Sequence, residues 1–182
     1  MLIGVAIVVI ALDVISKVIV VATLSDRAPV RLLGGLIKLE ETRNSGAAFS
    51  IGGGATFLFA LVAIAVIVVI LRTVRRLYSG PWAIVLGMLL GGATGNLIDR
   101  LVRSPGVFRG EVVDWIRLPH FAVFNLADSA ITIGGALAVL LAVLGRQIDG
   151  SRVSYKSDDG ARATATTAGT TSDDVRDDDN AG

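Results

Sequence analysis

Three aspartates and four polar companions stand out in this chain: Asp99, Asp114 and Asp128, with Asn44, Asn96, Asn125 and Arg100. Each lies at an end of a very apolar segment or in the loop beside it. A carboxylate at the centre of a membrane helix costs about 2.5–3.5 kcal/mol on insertion scales, so several on one side of a membrane point to a working site. Two carboxylates within a few ångströms do not both ionise cheaply. One pKa rises and the pair shares a proton. The ionised partner can then deprotonate a water while the protonated one polarises a carbonyl, which is amide hydrolysis without a covalent intermediate or a metal. Asp114, in the apolar stretch VVDWI, and Asp128, near the start of the last apolar segment, are the natural pair. Asn and Arg side chains nearby would orient the carboxylates and bind substrate carbonyls.

Plainer readings compete at each position. Asn96 and Arg100 are four apart and Asn96 and Asp99 three apart, so they share a face at a helix end, where interfacial polar residues are ordinary. Asn125 and Asp128 are three apart. A helix N-cap accounts for one of them but poorly for both, because the apolar run FAVFNLA begins upstream. Asp13 and Lys17 have the signs and spacing of an intrahelical pair and read as structural or site-supporting. A Ser-Lys mechanism would use Lys17 with Ser129 or Ser45, but Asp13, four residues away, favours the charged ammonium. Asn44, in TRNSGAAFS, is by itself only a turn signal, and His120 beside Pro119 is an exposed loop residue.

Composition narrows the class. The chain has 182 residues, 53% of them hydrophobic, with mean hydropathy +0.70, too apolar for an ordinary soluble domain. A net charge of +1, with no basic stripe interleaved with aromatics, points to no nucleic-acid partner. The absence of cysteine excludes disulfides, a thiol nucleophile and thiolate metal sites, and one histidine excludes a His-rich zinc site. No cofactor or metal is expected.

The elements that must position these residues are apolar spans at about 2–24, 55–71, 82–98 and 124–144. Each is roughly long enough for a hydrocarbon core of about 30 Å; the third is short and would need a thinned bilayer or snorkelling ends. The first lacks a basic n-region and carries Asp13 and Lys17, so it reads as a retained helix rather than a cleaved signal peptide. The loop RTVRRLYSG has Arg72, Arg75 and Arg76 and no acid, and Arg146, Arg152 and Lys156 follow the fourth span. That bias puts both termini in the cytoplasm and loops 25–54 and 99–123 outside. RLLGGLIKLEETRNSGAAFS reads as short strands on the membrane surface, and GEVVDWIRLP as an extended stretch. Gly87, Gly91 and Gly95 form a small-xxx-small stripe for close helix packing. Residues 1–148 make the membrane domain, and 149–182, rich in Asp, Thr, Ala, Ser and Gly, a disordered cytoplasmic tail.

Five motifs in order carry a family resemblance: Asp13 and Lys17 as D-x-x-x-K, RNSGAAFS at 43–50, GGATGNLIDR at 91–100, VVDWI at 112–116 and FNLADSAI at 124–131. With these the chain resembles the lipoprotein signal peptidases (signal peptidase II), bacterial membrane aspartyl peptidases. The resemblance implies an all-α membrane fold of four helices with a small extracytoplasmic β-rich cradle, and a second small surface element between the third and fourth helices. It implies Asp114 and Asp128 as the catalytic dyad, with Asn44, Asn96, Asp99, Arg100, Asn125 and Ala127 lining or supporting the site, and Asp13 and Lys17 as further pattern positions. The implied substrate is a diacylglyceryl prolipoprotein in the bacterial inner membrane, cut just before its lipidated cysteine, and globomycin-type peptides are the implied inhibitors. Leu36, Ile37, Phe49, Phe108 and Trp115 could clamp the acyl chains at the membrane lipid surface. Two other classes remain open on residues alone. A proton-coupled transporter would spread its carboxylates between both faces, and a membrane scaffold would use its polar residues as interhelical contacts.

Overall fold

The computed structural model describes residues 1–46 and 54–152. Four helices in it are long and apolar enough to cross a membrane: α1 Leu2–Leu24, α2 Gly54–Thr73, α3 Gly80–Val102 and α4 Leu126–Val143. Three short strands, β1 Val30–Leu32, β2 Ile37–Asn44 and β3 Val112–Arg117, form one antiparallel sheet in the order β1-β2-β3.

Helix α3 is the least apolar of the four, with mean hydropathy 1.4 against 2.7, 2.9 and 2.0 for α1, α2 and α4. The reason is its place: α1, α2 and α4 all pack on it. The other helices turn Ile7, Leu12, Val69 and Val139 outward, as a lipid-facing surface requires. Close approach to α3 rests on its glycines. A Cβ at Gly87 would lie 2.8 Å from Leu2 O, and one at Gly91 2.7 Å from Val9 Cβ, both on α1. Gly92, one residue round the helix, meets α4 at Ala127 O, 2.6 Å from where its Cβ would be. The stripe is therefore structural: it sets α1 against α3 at backbone distance, and Gly92 beside it does the same for α4. Leu2, Ile70, Ala83 and Leu86 close the end of the bundle where α1 and α3 begin and α2 finishes.

Two helix boundaries differ from the hydropathy reading. The third span does not stop near Ile98: α3 runs through Asp99 and Arg100 to Val102, 23 residues in all, so no thinning of the bilayer is needed. Hydropathy ends the segment at the first charges, but Asp99 and Arg100 are buried and engaged, so the helix continues. The fourth helix starts at Leu126, because Phe124 still belongs to the sheet. Its N donates to Ile116 O at 3.0 Å, and its O accepts from Ile116 N at 2.9 Å.

The two loops do not form separate surface elements at the strand level. β3, from the α3–α4 connection, pairs directly with β2. The register has Leu39 opposite Ile116, then an irregularity, then Thr42 opposite Asp114 and Asn44 opposite Val112. Asn44 and Asp114 thus sit diagonally on one face of the sheet. Residues 146–152, partly assigned to the tail by composition, belong to the folded unit. Gln147 N donates to Ser151 O at 2.9 Å, and the N–H groups of Tyr78 and Ser79 both donate to Ile148 O at 3.1 Å. The remainder of the expected tail, 153–182, lies outside the described residues.

Candidate active site

At the sheet end of the bundle, α1, α3, α4, β2 and β3 bring one polar residue set together. Asp114, 2% exposed, is flanked in β3 by the buried Val112 and Val113. Both of its oxygens accept from amides: Oδ2 from Asn44 Nδ2 at 2.9 Å and Oδ1 from Asn125 Nδ2 at 2.6 Å. Asn44 is itself fixed, since its Oδ1 accepts from Gly46 N at 2.9 Å. Burial is the largest influence on Asp114 and raises its pKa to about 6. The amide donors of Asn44 and Asn125 oppose that rise, and the charge of Asp128 adds to it.

Asn125 is the N-cap of α4 and Asp128 is its third helical residue, and together they form a reciprocal capping box. Asn125 Oδ1 accepts from Asp128 N at 2.9 Å, and Asp128 Oδ2 accepts from Asn125 N at 3.2 Å. Capping accounts for both residues, against the sequence expectation, and the apolar run upstream is no obstacle because it ends as strand. Neither residue is used up by the cap. Asn125 Nδ2 reaches Asp114, and Asp128 Oδ1 accepts from Asn96 Nδ2 at 2.8 Å. The box therefore holds Asp128 at a set distance from the group that grips Asp114.

Asn96 joins this pair to a buried charge cluster. Its Oδ1 accepts from Asn125 Nδ2 at 3.2 Å and from Lys17 Nζ at 3.0 Å. Lys17 also pairs with Asp13 at 2.7 Å and Asp99 at 2.9 Å, so each of its three donors has a partner. Asp13 Oδ1 accepts from Ala127 N at 3.0 Å, tying α1 to the first turn of α4. Ala127 is fully buried, and a Cβ on Gly95 would lie 2.6 Å from Asp13 Oδ2. Asp99 further accepts from Arg103 Nε and from Val113 N at 3.3 Å, which anchors β3 to α3. An ammonium holding two carboxylates and an amide has no free lone pair for a general base, and Ser129 Oγ donates to Asn125 O at 2.9 Å. The Ser-Lys mechanism finds no support in this arrangement.

Beside the network lies a cavity of about 450 Å³ with two characters. Asn44, Asn96, Arg100 and Asp128 form its polar end, and Phe59, Val62, Ala63 and Val66 of α2 an apolar wall. The Arg100 guanidinium stands 5.3 Å over the Phe59 ring. Of the expected clamp residues, Leu36, Ile37, Phe108 and Trp115 do not line this cavity; Phe108 instead packs edge-on against Phe57 at 6.1 Å. Phe49 lies outside the described residues. Among the described residues no three His, Asp or Glu side chains gather as a metal site.

The sequence reading missed two members. Arg103 was legible as a partner four residues after Asp99. Phe59 was not, since nothing in α2 marks which residue meets Arg100.

A family model described as signal peptidase (SPase) II matches residues 5–144. The chain belongs to the signal peptidase II family. A lipoprotein signal peptidase of Streptomyces coelicolor is 54% identical over 140 residues, which cover 77% of this chain and 69% of that protein. One of Streptomyces griseus is 53% identical over 150 residues, 82% and 76% of the two chains. One of Mycobacterium tuberculosis is 45% identical over 149 residues, 82% and 74%. A bacterial membrane enzyme solved by the in meso method at 1.9 Å resolution superposes with a TM-score of 0.70 at 28% identity, covering 80% of this chain and 94% of the other. As a signal peptidase II, the protein is a multi-pass membrane hydrolase, an aspartic peptidase that removes signal peptides from lipoproteins. Family membership displaces the transporter and scaffold readings.

Proposed function

We propose that Asp114 and Asp128 are the dyad of this peptidase, and that it cuts diacylglyceryl prolipoproteins just before the lipidated cysteine. The arrangement of the two acids around Asn125 carries the reading. Asp114 is buried and raised to about 6, which suits the member that holds the proton and polarises the scissile carbonyl. Asp128 lines the cavity, which suits the member that takes a proton from water. The attack yields a tetrahedral intermediate whose collapse to acid and amine needs no covalent enzyme species. Asn96 and the cap orient Asp128, Asn44 and Asn125 orient Asp114, and Arg100 stands at the polar end of the cavity to meet a substrate carbonyl. Lys17, Asp13, Asp99 and Ala127 position these groups without reaching substrate.

The apolar wall of α2 supports a substrate whose acyl chains stay in lipid while its peptide bond reaches the acids. A globomycin-type peptide would compete by filling the same cavity. We further infer that the site faces outward, that both termini are cytoplasmic, and that residues 1–148 suffice for activity.

The test is cleavage of a lipid-modified precursor by purified enzyme. Asp114→Asn and Asp128→Asn are each expected to lower turnover by about 10³-fold or more while leaving a cooperative melt in detergent. A folded variant of either kind that cleaves at wild-type rate removes the dyad.

A further inference from the structure

The end of the bundle away from the aspartates carries a second formed cleft, of about 670 Å³, that hydrolysis does not use. One wall is the last turn of α2 and the turn after it, with Arg72, Arg75 and Arg76. The opposite wall is Gln147, Ile148 and Asp149, just past α4. That wall is held by backbone. Ile148 O accepts from both Tyr78 N and Ser79 N, and Arg146 O accepts from Trp82 Nε1 at 2.8 Å. The cleft is therefore a fixed feature of the α2–α3 turn and the segment docked on it.

Its charges are unspent. Arg43, Arg103 and Arg117, near the sheet, are each paired with a carboxylate. Among the described residues, Arg72, Arg75 and Arg76 have no ion pair and no side-chain hydrogen bond. Among the described residues the one acid on the cleft, Asp149, is turned to Ser151, accepting from its N at 2.9 Å and its Oγ at 2.7 Å. Those bonds hold its carboxyl below the usual carboxylate range. The helix ends that lead into the cleft carry open apolar residues, with Val69 and Leu71 just before Arg72 on α2 and Leu140 and Val143 at the end of α4 exposed.

We propose that this cleft binds the phosphate headgroup of an anionic phospholipid, its acyl chains lying on the exposed apolar residues of α2 and α4. Guanidinium forks match phosphate oxygens bidentately, and three of them at the end of a membrane helix stand at headgroup depth. A zwitterionic headgroup has the same phosphate, but its ammonium would face three guanidiniums with Asp149 the one acid among the described residues to offset them. A free phosphate would leave the apolar strip uncovered. Orientation in the membrane needs only the charge of these residues, whereas binding needs their planar forks as well, and this separates the two roles.

The experiment is native mass spectrometry of the purified full chain after equilibration with phosphatidylglycerol or phosphatidylcholine, with inorganic phosphate as a third arm. Wild type is expected to retain phosphatidylglycerol at least tenfold better than R72Q/R75Q/R76Q, and several-fold better than R72K/R75K/R76K. Phosphatidylcholine retention should be alike in all three, and millimolar phosphate should not displace bound phosphatidylglycerol. Cleavage of a lipid-modified precursor in detergent reports that each variant is folded, and the lysine variant alone decides if the glutamine variant is not. Retention by the lysine variant equal to wild type would mean bulk charge only and overturn the proposal. Displacement by inorganic phosphate would make the cleft a site for the free anion and overturn it equally.

Discussion

Asp114 is a buried acid with an amide on each oxygen, and these surroundings pull its ionisation in opposite directions. Burial dominates, and the pKa settles at about 6 against an ordinary 3.8. An acid whose folded-state pKa is raised favours the folded state fully below pH 3.8, and that contribution is lost as pH rises through 6. A shift of about two units corresponds to about 3 kcal/mol. Across pH 4 to 7 the melting midpoint of wild type should therefore fall relative to that of Asp114→Asn, which has no such titration, and then run parallel to it at higher pH. Curves parallel throughout would mean that Asp114 ionises freely in the folded protein. Activity reads the same group. If the proton on Asp114 polarises the substrate, kcat/KM declines as pH rises past the Asp114 pKa. Asn44 lowers that pKa by donating to the carboxylate, so Asn44→Ala should move the alkaline limb to higher pH, by up to about one unit. A limb that stays in place would assign the essential proton elsewhere.

Helix termini and helix contacts carry the next layer. The α4 cap and the Asp114 clamp share Asn125, and one substitution separates them. Asn125→Ser keeps a neutral side-chain oxygen to cap Asp128 N but loses the Nδ2 donor to Asp114 and Asn96. Melting should change little from loss of the cap, which costs about 1 kcal/mol only when the acceptor goes, whereas cleavage should fall by about 10²-fold or more, the scale of losing a preorganised donor. Equal cleavage by this variant would leave Asn125 a cap alone. On α3, Gly91→Ala drives a methyl into Val9 Cβ and Ala6 O, 2.7 and 2.9 Å away, and should cost about 1–3 kcal/mol by overpacking. Gly135→Ala on α4 meets nothing within 4 Å and should raise the melting midpoint through helix propensity, worth about 1 kcal/mol. Equal shifts for the two would refute close α1–α3 packing. Hydropathy made all four helices legible because lipid-facing residues must be apolar whatever their partners. It failed at the ends of α3 and α4, where Asp99 stays helical on its pair with Lys17 and Arg100 on its place over the Phe59 ring, and where Phe124 prefers a strand partner in β3. The polar residues were legible as a set through their spacing at helix ends, but which amide meets which carboxylate depends on the β2–β3 register, and no local pattern in the chain encodes that.

The whole molecule is polarised along the helix axes. The aspartate network lies where α1 and α3 end and α4 begins, and the arginine-walled cleft lies where α2 and α4 end. Carboxylates that bond to amides and to Lys17 need no bulk water, while free guanidiniums beside an apolar surface are stable only near headgroups and solvent. Absence of cysteine makes the orientation directly measurable. Val107, in the connection between α3 and β3, and Tyr78, in the turn between α2 and α3, are 66% and 81% exposed at opposite ends of the bundle. In intact cells a membrane-impermeant maleimide should label Val107→Cys, and it should reach Tyr78→Cys only after the membrane is opened. The reverse pattern would place the acids on the cytoplasmic side, where a signal peptidase could meet its substrate only before export. Labelling of both sites in intact cells would mean that the chain does not hold a single orientation.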